Sequence, residues 1–276
     1  MIHQTIHLKD IFPFLGNNDC DPTLDVYVPQ NHFDKGKADR IRPSILLCPG
    51  GGYFFVSKRE AEPIALKFLS EGYNTFILTY SVHPNRFPTA IREVAAAMEV
   101  IYSNAEQWLT DTSQIAIMGF SAGGHLACHY SNCYDIPEVR EVFPESKPVQ
   151  AAVLAYPVIT GDPAHRHKGS FVYLTGDSEP TEENIEKFSL NNRVTPNTPP
   201  TFLWATRTDK SVPVMNSLLY AQALAMNDVP FALHVYPVGA HGLATVDYMT
   251  NDEVAADVAH AGDWVDAARK WLKITL

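Results

Sequence analysis

Two hydrophobic rhythms alternate along the chain. Short continuous apolar runs have the composition of strands buried on both faces: Ser44-Ile45-Leu46-Leu47-Cys48, Asn74 to Tyr80, Gln114-Ile115-Ala116-Ile117, Ala151 to Tyr156, Thr201-Phe202-Leu203-Trp204-Ala205 and Phe231 to Tyr236. Between them, Ile91, Val94, Met98, Ile101, Ala105 and Trp108 recur at helical spacing. Ser57-Lys58-Arg59-Glu60 has the form of a capping box and predicts a helix from there to Gly72. Pro213 suits the first turn of a helix through about Met226. A second capping box, Thr250-Asn251-Asp252-Glu253, predicts the start of the C-terminal helix.

The remaining stretches are less regular. Up to about Pro29 the chain reads as edge strands, closing on the alternating Thr23-Leu24-Asp25-Val26-Tyr27-Val28. Asn31 to Arg42 is polar and basic, as in a surface loop. From Gly161 to Pro200 the pattern is broken by Gly169, Gly176, Pro180, Pro196 and Pro199. That segment predicts short helices, one near Glu183 to Leu190, and is long enough to cover a site. Strands alternating with helices imply an α/β fold, a mostly parallel central sheet with helices on both faces. At 276 residues one large domain, 1–276, is expected. In such a sheet ligands sit beyond the carboxyl ends of the strands. That rule selects the Pro49-Tyr53 loop, Ser121, Asp209 and His241.

Composition narrows the partners. A net charge of −10 argues against nucleic acid and against an anionic membrane surface. No stretch approaches a membrane span, and Met1 to Ile6 lack a basic region followed by an apolar run, so no secretory signal is expected. Cys20, Cys48, Cys128 and Cys133 have neither disulfide-framework nor metal spacing, which reads as reduced, cytoplasmic thiols. No feature selects between a monomer and a homo-oligomer.

The chemistry centres on Gly119-Phe120-Ser121-Ala122-Gly123-Gly124-His125. An apolar strand precedes it and a small-residue helix, Leu126 to Tyr130, follows, so Gly-x-Ser-x-Gly falls on a strand-to-helix turn. Such a turn projects a serine hydroxyl from the backbone toward a base, at some cost in local strain. The helix start also leaves the Ala122 N–H free, where negative charge would develop. Alone the motif is weak, arising by chance in roughly one chain in ten of this length. Its neighbours strengthen it: Pro49-Gly50-Gly51-Gly52-Tyr53 ends a buried strand, and Gly239-Ala240-His241-Gly242 follows the last one.

The order Ser121, Asp209, His241 resembles the α/β-hydrolase superfamily, whose triad runs nucleophile, acid, histidine. More narrowly the chain is similar to small esterases near the hormone-sensitive-lipase group, in particular bacterial acetyl esterases and acetylxylan-esterase-like proteins. The residues that carry this include Pro49-Gly50-Gly51-Gly52-Tyr53, Tyr80 through Pro88, the Ser121 motif, Pro199 to Trp204, Asp209-Lys210-Ser211-Val212-Pro213 and Gly239 to Gly242. Pro49 departs from the lipase-like group, which carries histidine before its glycines, and so favours the acetyl-esterase branch.

The resemblance implies Ser121 as nucleophile, His241 as base, Asp209 as the acid that orients it, and Gly51, Gly52 and Ala122 as oxyanion-hole donors. Asp177 and Asp247 compete for the acid role, but one lies in the irregular segment and the other comes after His241. His125 and His129 have i, i+4 spacing that can bind zinc, yet Leu126-Ala127-Cys128 between them lacks the glutamate of that motif, so packing is expected and no metal. Tyr53, Phe54, Tyr80, Tyr156 and Trp204, near strand ends, are candidate walls of an acyl or sugar pocket. The implied activity is cofactor-free hydrolysis of short-chain, acetyl-type esters of a small-molecule substrate, including acetylated carbohydrates. An amidase or peptidase on the same triad, or a non-catalytic ligand-binding protein on this scaffold, are the alternatives. The latter would be favoured by a missing triad member, and none is missing.

Overall fold

The computed structural model describes residues 1–15, 20–31 and 39–276. The elements in chain order are β1 (Ile2–His7), α1 (Leu8–Ile11), β2 (Thr23–Val28), β3 (Arg42–Cys48), α2 (Glu62–Leu69), β4 (Asn74–Thr79), α3 (Thr89–Ser103), β5 (Thr110–Phe120), α4 (Ser121–Cys133), α5 (Pro137–Arg140), β6 (Ala151–Ala155), α6 (Lys168–Thr175), α7 (Glu182–Phe188), β7 (Thr201–Thr206), α8 (Met215–Met226), β8 (Phe231–Tyr236) and α9 (Trp264–Thr275). They form one eight-stranded sheet in the order β1-β2-β4-β3-β5-β6-β7-β8. β1 and β2 are antiparallel to their neighbours, and β3 through β8 run parallel. This is the α/β-hydrolase architecture.

Strand alternation explains the two apolar layers. Leu46, Phe76, Leu78, Ile115, Ile117 and Leu154 point to one face, where α3, α4 and α8 pack. Ile45, Leu47, Ile77, Met118 and Val153 point to the other, against α2 and α9. The continuous apolar runs therefore reflect burial on both sides. Among the described residues no helix is long and apolar enough to cross a membrane.

Several boundaries differ from expectation. Most of the Asn31–Arg42 loop, residues 32–38, lies outside the described residues. Arg42 itself belongs to β3, where its guanidinium is buried and donates to Asn31 Oδ1. α3 ends at Ser103, yet Trp108 still reaches the core beyond it. Neither capping box caps a helix. Ser57 makes no side-chain cap bond, and α2 begins only at Glu62. Thr250 instead exchanges hydrogen bonds with Thr245, and α9 starts at Trp264. At Glu60 polar partners on other loops won over the local motif, and at Thr250 an alternative local pairing with Thr245 did.

The β5–α4 junction sets the rest of the fold's upper edge. A Cβ on Gly123 would lie 2.1 Å from the Cys48 carbonyl oxygen and 2.2 Å from that of Pro49. The first turn of α4 is thus packed backbone to backbone against the end of β3. Gly123→Ala is expected to push β3 and α4 apart, at a cost of about 1–3 kcal/mol or more. Thermal unfolding should then show a Tm lowered by several degrees. An unchanged midpoint would mean the contact is not tight.

Candidate active site

Ser121 occupies the strand-to-helix turn with φ 54°, a left-handed conformation uncommon for a residue with a Cβ. The turn aims Oγ away from the sheet, toward the loop after β8. There His241 Nε2 lies 2.7 Å from Ser121 Oγ, and His241 Nδ1 lies 2.6 Å from Asp209 Oδ2. Asp209, in the loop after β7, is buried, and its other oxygen accepts the N–H groups of Ser211 (2.8 Å) and Val212 (3.0 Å). A carboxylate so held accepts the Nδ1 proton, which leaves the Nε2 lone pair facing the serine hydroxyl. The histidine loop is clamped as well. Thr206 Oγ1 and Thr208 Oγ1 both donate to the Gly239 carbonyl, at 2.9 and 3.0 Å.

The other two aspartates have partners elsewhere. Asp177 accepts from Asn184 Nδ2 at 2.6 Å. Asp247 pairs with Lys67 at 2.8 Å and caps Thr245 and Met249.

Gly51 and Gly52 turn above Ser121 with φ 125° and 68°. The Gly51 carbonyl is taken by the N–H groups of Phe54 and Phe55, and a Cβ on Gly51 would lie 2.0 Å from the Phe55 carbonyl oxygen. This loop therefore tolerates no side chain at its tip. It is anchored below by Tyr80 Oη, which donates to the Pro49 carbonyl (2.8 Å), and by Glu60, which accepts the Gly50 N–H (2.8 Å). Ala122, in the first turn of α4, has no intrahelical acceptor for its N–H. The three predicted donors thus flank the serine.

A cavity of about 390 Å³ opens over Ser121, Gly51, Gly52 and His241. Its walls correct the list of pocket aromatics. Only Phe54 lines it, joined by Phe55, and both rings are more than half exposed (56% and 57%). Tyr53 turns inward, its hydroxyl 2.9 Å from His125 Nδ1. Tyr80 is buried beneath the glycine loop, and Tyr156 lies under His241, with ring centroids 5.1 Å apart. Trp204 is fully buried and stacked on Trp264. These four rings support the site from below.

Several cavity residues escaped the sequence reading, Glu60, His167 and Tyr173 among them. His167 and Tyr173 come from the irregular 161–200 segment, which folds as α6 and α7. His167 Nδ1 accepts the Ser170 N–H at the start of α6, and burial together with nearby His241 pulls its pKa below the usual histidine value. Glu60 had been absorbed into the capping-box pattern.

His125 and His129 are buried in aromatic packing. His125 Nε2 donates to the Phe188 carbonyl (3.0 Å), so its Nδ1 accepts from Tyr53 Oη. Burial lowers the His125 pKa to about 4 and that of His129 well below the usual value. His129 stacks on Phe87. Among the described residues no group of three or more His, Cys, Asp or Glu side chains is arranged to hold a metal ion.

Known proteins share this arrangement of elements. A relative from Butyrivibrio fibrisolvens, endo-1,4-beta-xylanase B, is 38% identical over 226 residues, which is 78% of this chain and 34% of that protein. The acetylxylan esterase of Xylanibacter ruminicola is 29% identical over 248 residues, 85% of this chain and 49% of that protein. The chain thus spans between about a third and about half of the length of these curated relatives. Among solved structures, the acetyl ester-xyloside bifunctional hydrolase from Caldicellulosiruptor lactoaceticus superposes with a TM-score of 0.82 at 32% identity, covering 98% of this chain and 96% of that one. The BD-FAE family model matches residues 24–224, most of the sheet and the nucleophile turn. The chain belongs to the BD-FAE family of α/β-hydrolases.

Proposed function

We propose that the protein is a serine carboxylesterase that removes short acyl groups, acetyl above all, from esters of carbohydrate alcohols. The observation that carries this reading is the hydrogen-bonded series Asp209–His241–Ser121 opening into a cavity roofed by Gly51 and Gly52. Ser121 Oγ attacks the ester carbonyl carbon while His241 Nε2 takes its proton. Asp209 holds the Nδ1 proton and offsets the charge of the imidazolium. The carbonyl oxygen, now negative, is received by the N–H groups of Gly51, Gly52 and Ala122, each donor worth about 3 kcal/mol of barrier. Collapse expels the alcohol with the proton from His241, and a water repeats the sequence to free the acid and Ser121.

The acetyl and carbohydrate preference is supported by the relatives named for acetylxylan and acetyl-xyloside hydrolysis. A cytoplasmic setting is supported by the cysteines, which are all free, three of them buried.

Two experiments test the reading. On aryl esters from acetyl to octanoyl, kcat/KM is expected to fall by several orders of magnitude, since each methylene refused by a pocket costs roughly 1–3 kcal/mol. Ser121→Ala should be inactive on all of them. A flat profile or an octanoyl optimum would remove the acetyl preference, and an active Ser121→Ala would remove the serine mechanism. Asp209→Asn is expected to fold as the parent does and to lose orders of magnitude in turnover through a misoriented imidazole. Asp177→Asn should remain active, and the reverse pattern would reassign the acid.

A further inference from the structure

Beneath the cavity lies a carboxylate that the triad does not use. Glu60 sits in a short 3₁₀ turn ahead of α2, only 4% exposed, yet on the cavity wall. Among the described residues no lysine, arginine or histidine forms an ion pair with it. Its neighbour Arg59 spends its guanidinium on the Thr250 carbonyl and Asn251 Oδ1, each at 2.6 Å. A buried carboxylate without a cation is costly, and is retained only where hydrogen bonds hold it.

The partners of Glu60 lie on two different loops. Oε2 accepts the N–H of Gly50, one residue before the glycines that roof Ser121, at 2.8 Å. Oε1 accepts the hydroxyl proton of Tyr156 at 2.7 Å. The Tyr156 hydroxyl oxygen in turn accepts the N–H of Ala244 at 3.1 Å, three residues past His241. The Tyr156 ring also meets the His241 imidazole edge to face, at 5.1 Å and 72°. A Cβ on Gly242 would come within 4.0 Å of Oε1, and one on Gly50 within 2.6 Å of Oε2, so the carboxylate fills the gap between the loops.

We propose that Glu60 is a positioning residue that ties the glycine loop to the histidine loop through Gly50 and Tyr156, setting oxyanion donors and base in register. The role rests on the serine-esterase reading above. Both loops turn through left-handed residues, Gly51 and Gly52 in one and Ala244 in the other, and Tyr156 between them, just after β6, has positive φ too. A single rigid group with two acceptor oxygens fixes both loops against one reference.

The substitutions separate these contributions. In Glu60→Gln the one remaining carbonyl oxygen can serve the Gly50 N–H, but the amide NH₂ can only donate to the Tyr156 oxygen, which competes with the Ala244 N–H there and leaves the Tyr156 proton without its acceptor. Tyr156→Phe breaks that bond and also releases the Ala244 N–H, while it keeps the carboxylate. With the full chain and an aryl acetate, Glu60→Gln is expected to lower kcat by roughly 10- to 100-fold, the scale of a small misplacement of reacting groups. KM should change by less than about threefold, because the tie acts on the transition state. Affinity for a trifluoromethyl ketone, which forms a tetrahedral adduct on the serine, should fall in parallel with kcat/KM. Tyr156→Phe should show a loss of the same kind and at least as large, since it severs the link to the histidine loop as well. The double variant should be no worse than Tyr156→Phe alone, since the Glu60–Tyr156 bond that Glu60→Gln perturbs is already absent there.

Parental kcat in Tyr156→Phe, or losses that multiply in the double variant, would overturn the tie even if Glu60→Gln proved unstable. A loss confined to KM or to Tm would likewise overturn it, making Glu60 a structural residue only. An inactive parent, or activity surviving in Ser121→Ala, would instead strike the esterase reading, so the two failures are distinguishable.

Discussion

The close approach of α4 to the end of β3 is the constraint on which the site depends. Two backbones meet where Gly123 faces the Cys48 and Pro49 carbonyls with no room for a side chain. That contact carries Ser121, at the head of α4, directly beside the glycine loop that continues from β3. Neither the serine nor the loop could be moved independently without opening the sheet edge. The positive φ of Ser121 follows from the same geometry: a strand that must turn into a helix within one residue leaves the serine in a strained conformation.

Around this fixed pair, the other functional groups arrive on separate strands and are each held by polar ties. Asp209 is oriented by the amides of its own loop, and the histidine loop hangs from Thr206 and Thr208. Tyr80 and Glu60 hold the glycine loop from beneath, while Tyr53 connects it through His125 to the carbonyl at the end of α7. The polar groups under the cavity therefore form a support that holds the loops carrying the reacting residues, and one member, Tyr156, meets His241 directly. Most of its members are buried, so removing a partner would leave an unsatisfied group rather than a solvated one. The 161–200 segment contributes to both levels, with Phe188 in the support and His167 and Tyr173 on the wall.

The parts of this molecule legible in the sequence are those fixed by short-range pattern or by position in the topology. β3 through β7 were readable because burial on both faces makes them continuous apolar runs. Ser121, Asp209 and His241 were readable because each follows a strand of a parallel sheet, where loops converge. Capping boxes misled because Ser57 to Glu60 satisfies the local pattern while Glu60 is drawn to Gly50 and Tyr156, 10 and 96 positions away along the chain. Aromatic assignments misled for a related reason. Proximity to a strand end does not tell which way a ring turns, and Tyr53, Tyr80, Tyr156 and Trp204 turn inward to hydrogen bonds or stacking.

The central claim is that Ser121 and the Gly51, Gly52 and Ala122 amides act on one tetrahedral centre. A crystal structure after reaction with a methyl organophosphonate tests it most directly, because the bound phosphorus reproduces that centre. The account predicts a single adduct on Ser121 Oγ, with the phosphoryl oxygen about 2.7–3.1 Å from at least two of the three amide nitrogens. An unmodified Ser121, or an adduct whose phosphoryl oxygen faces solvent away from those amides, would contradict it.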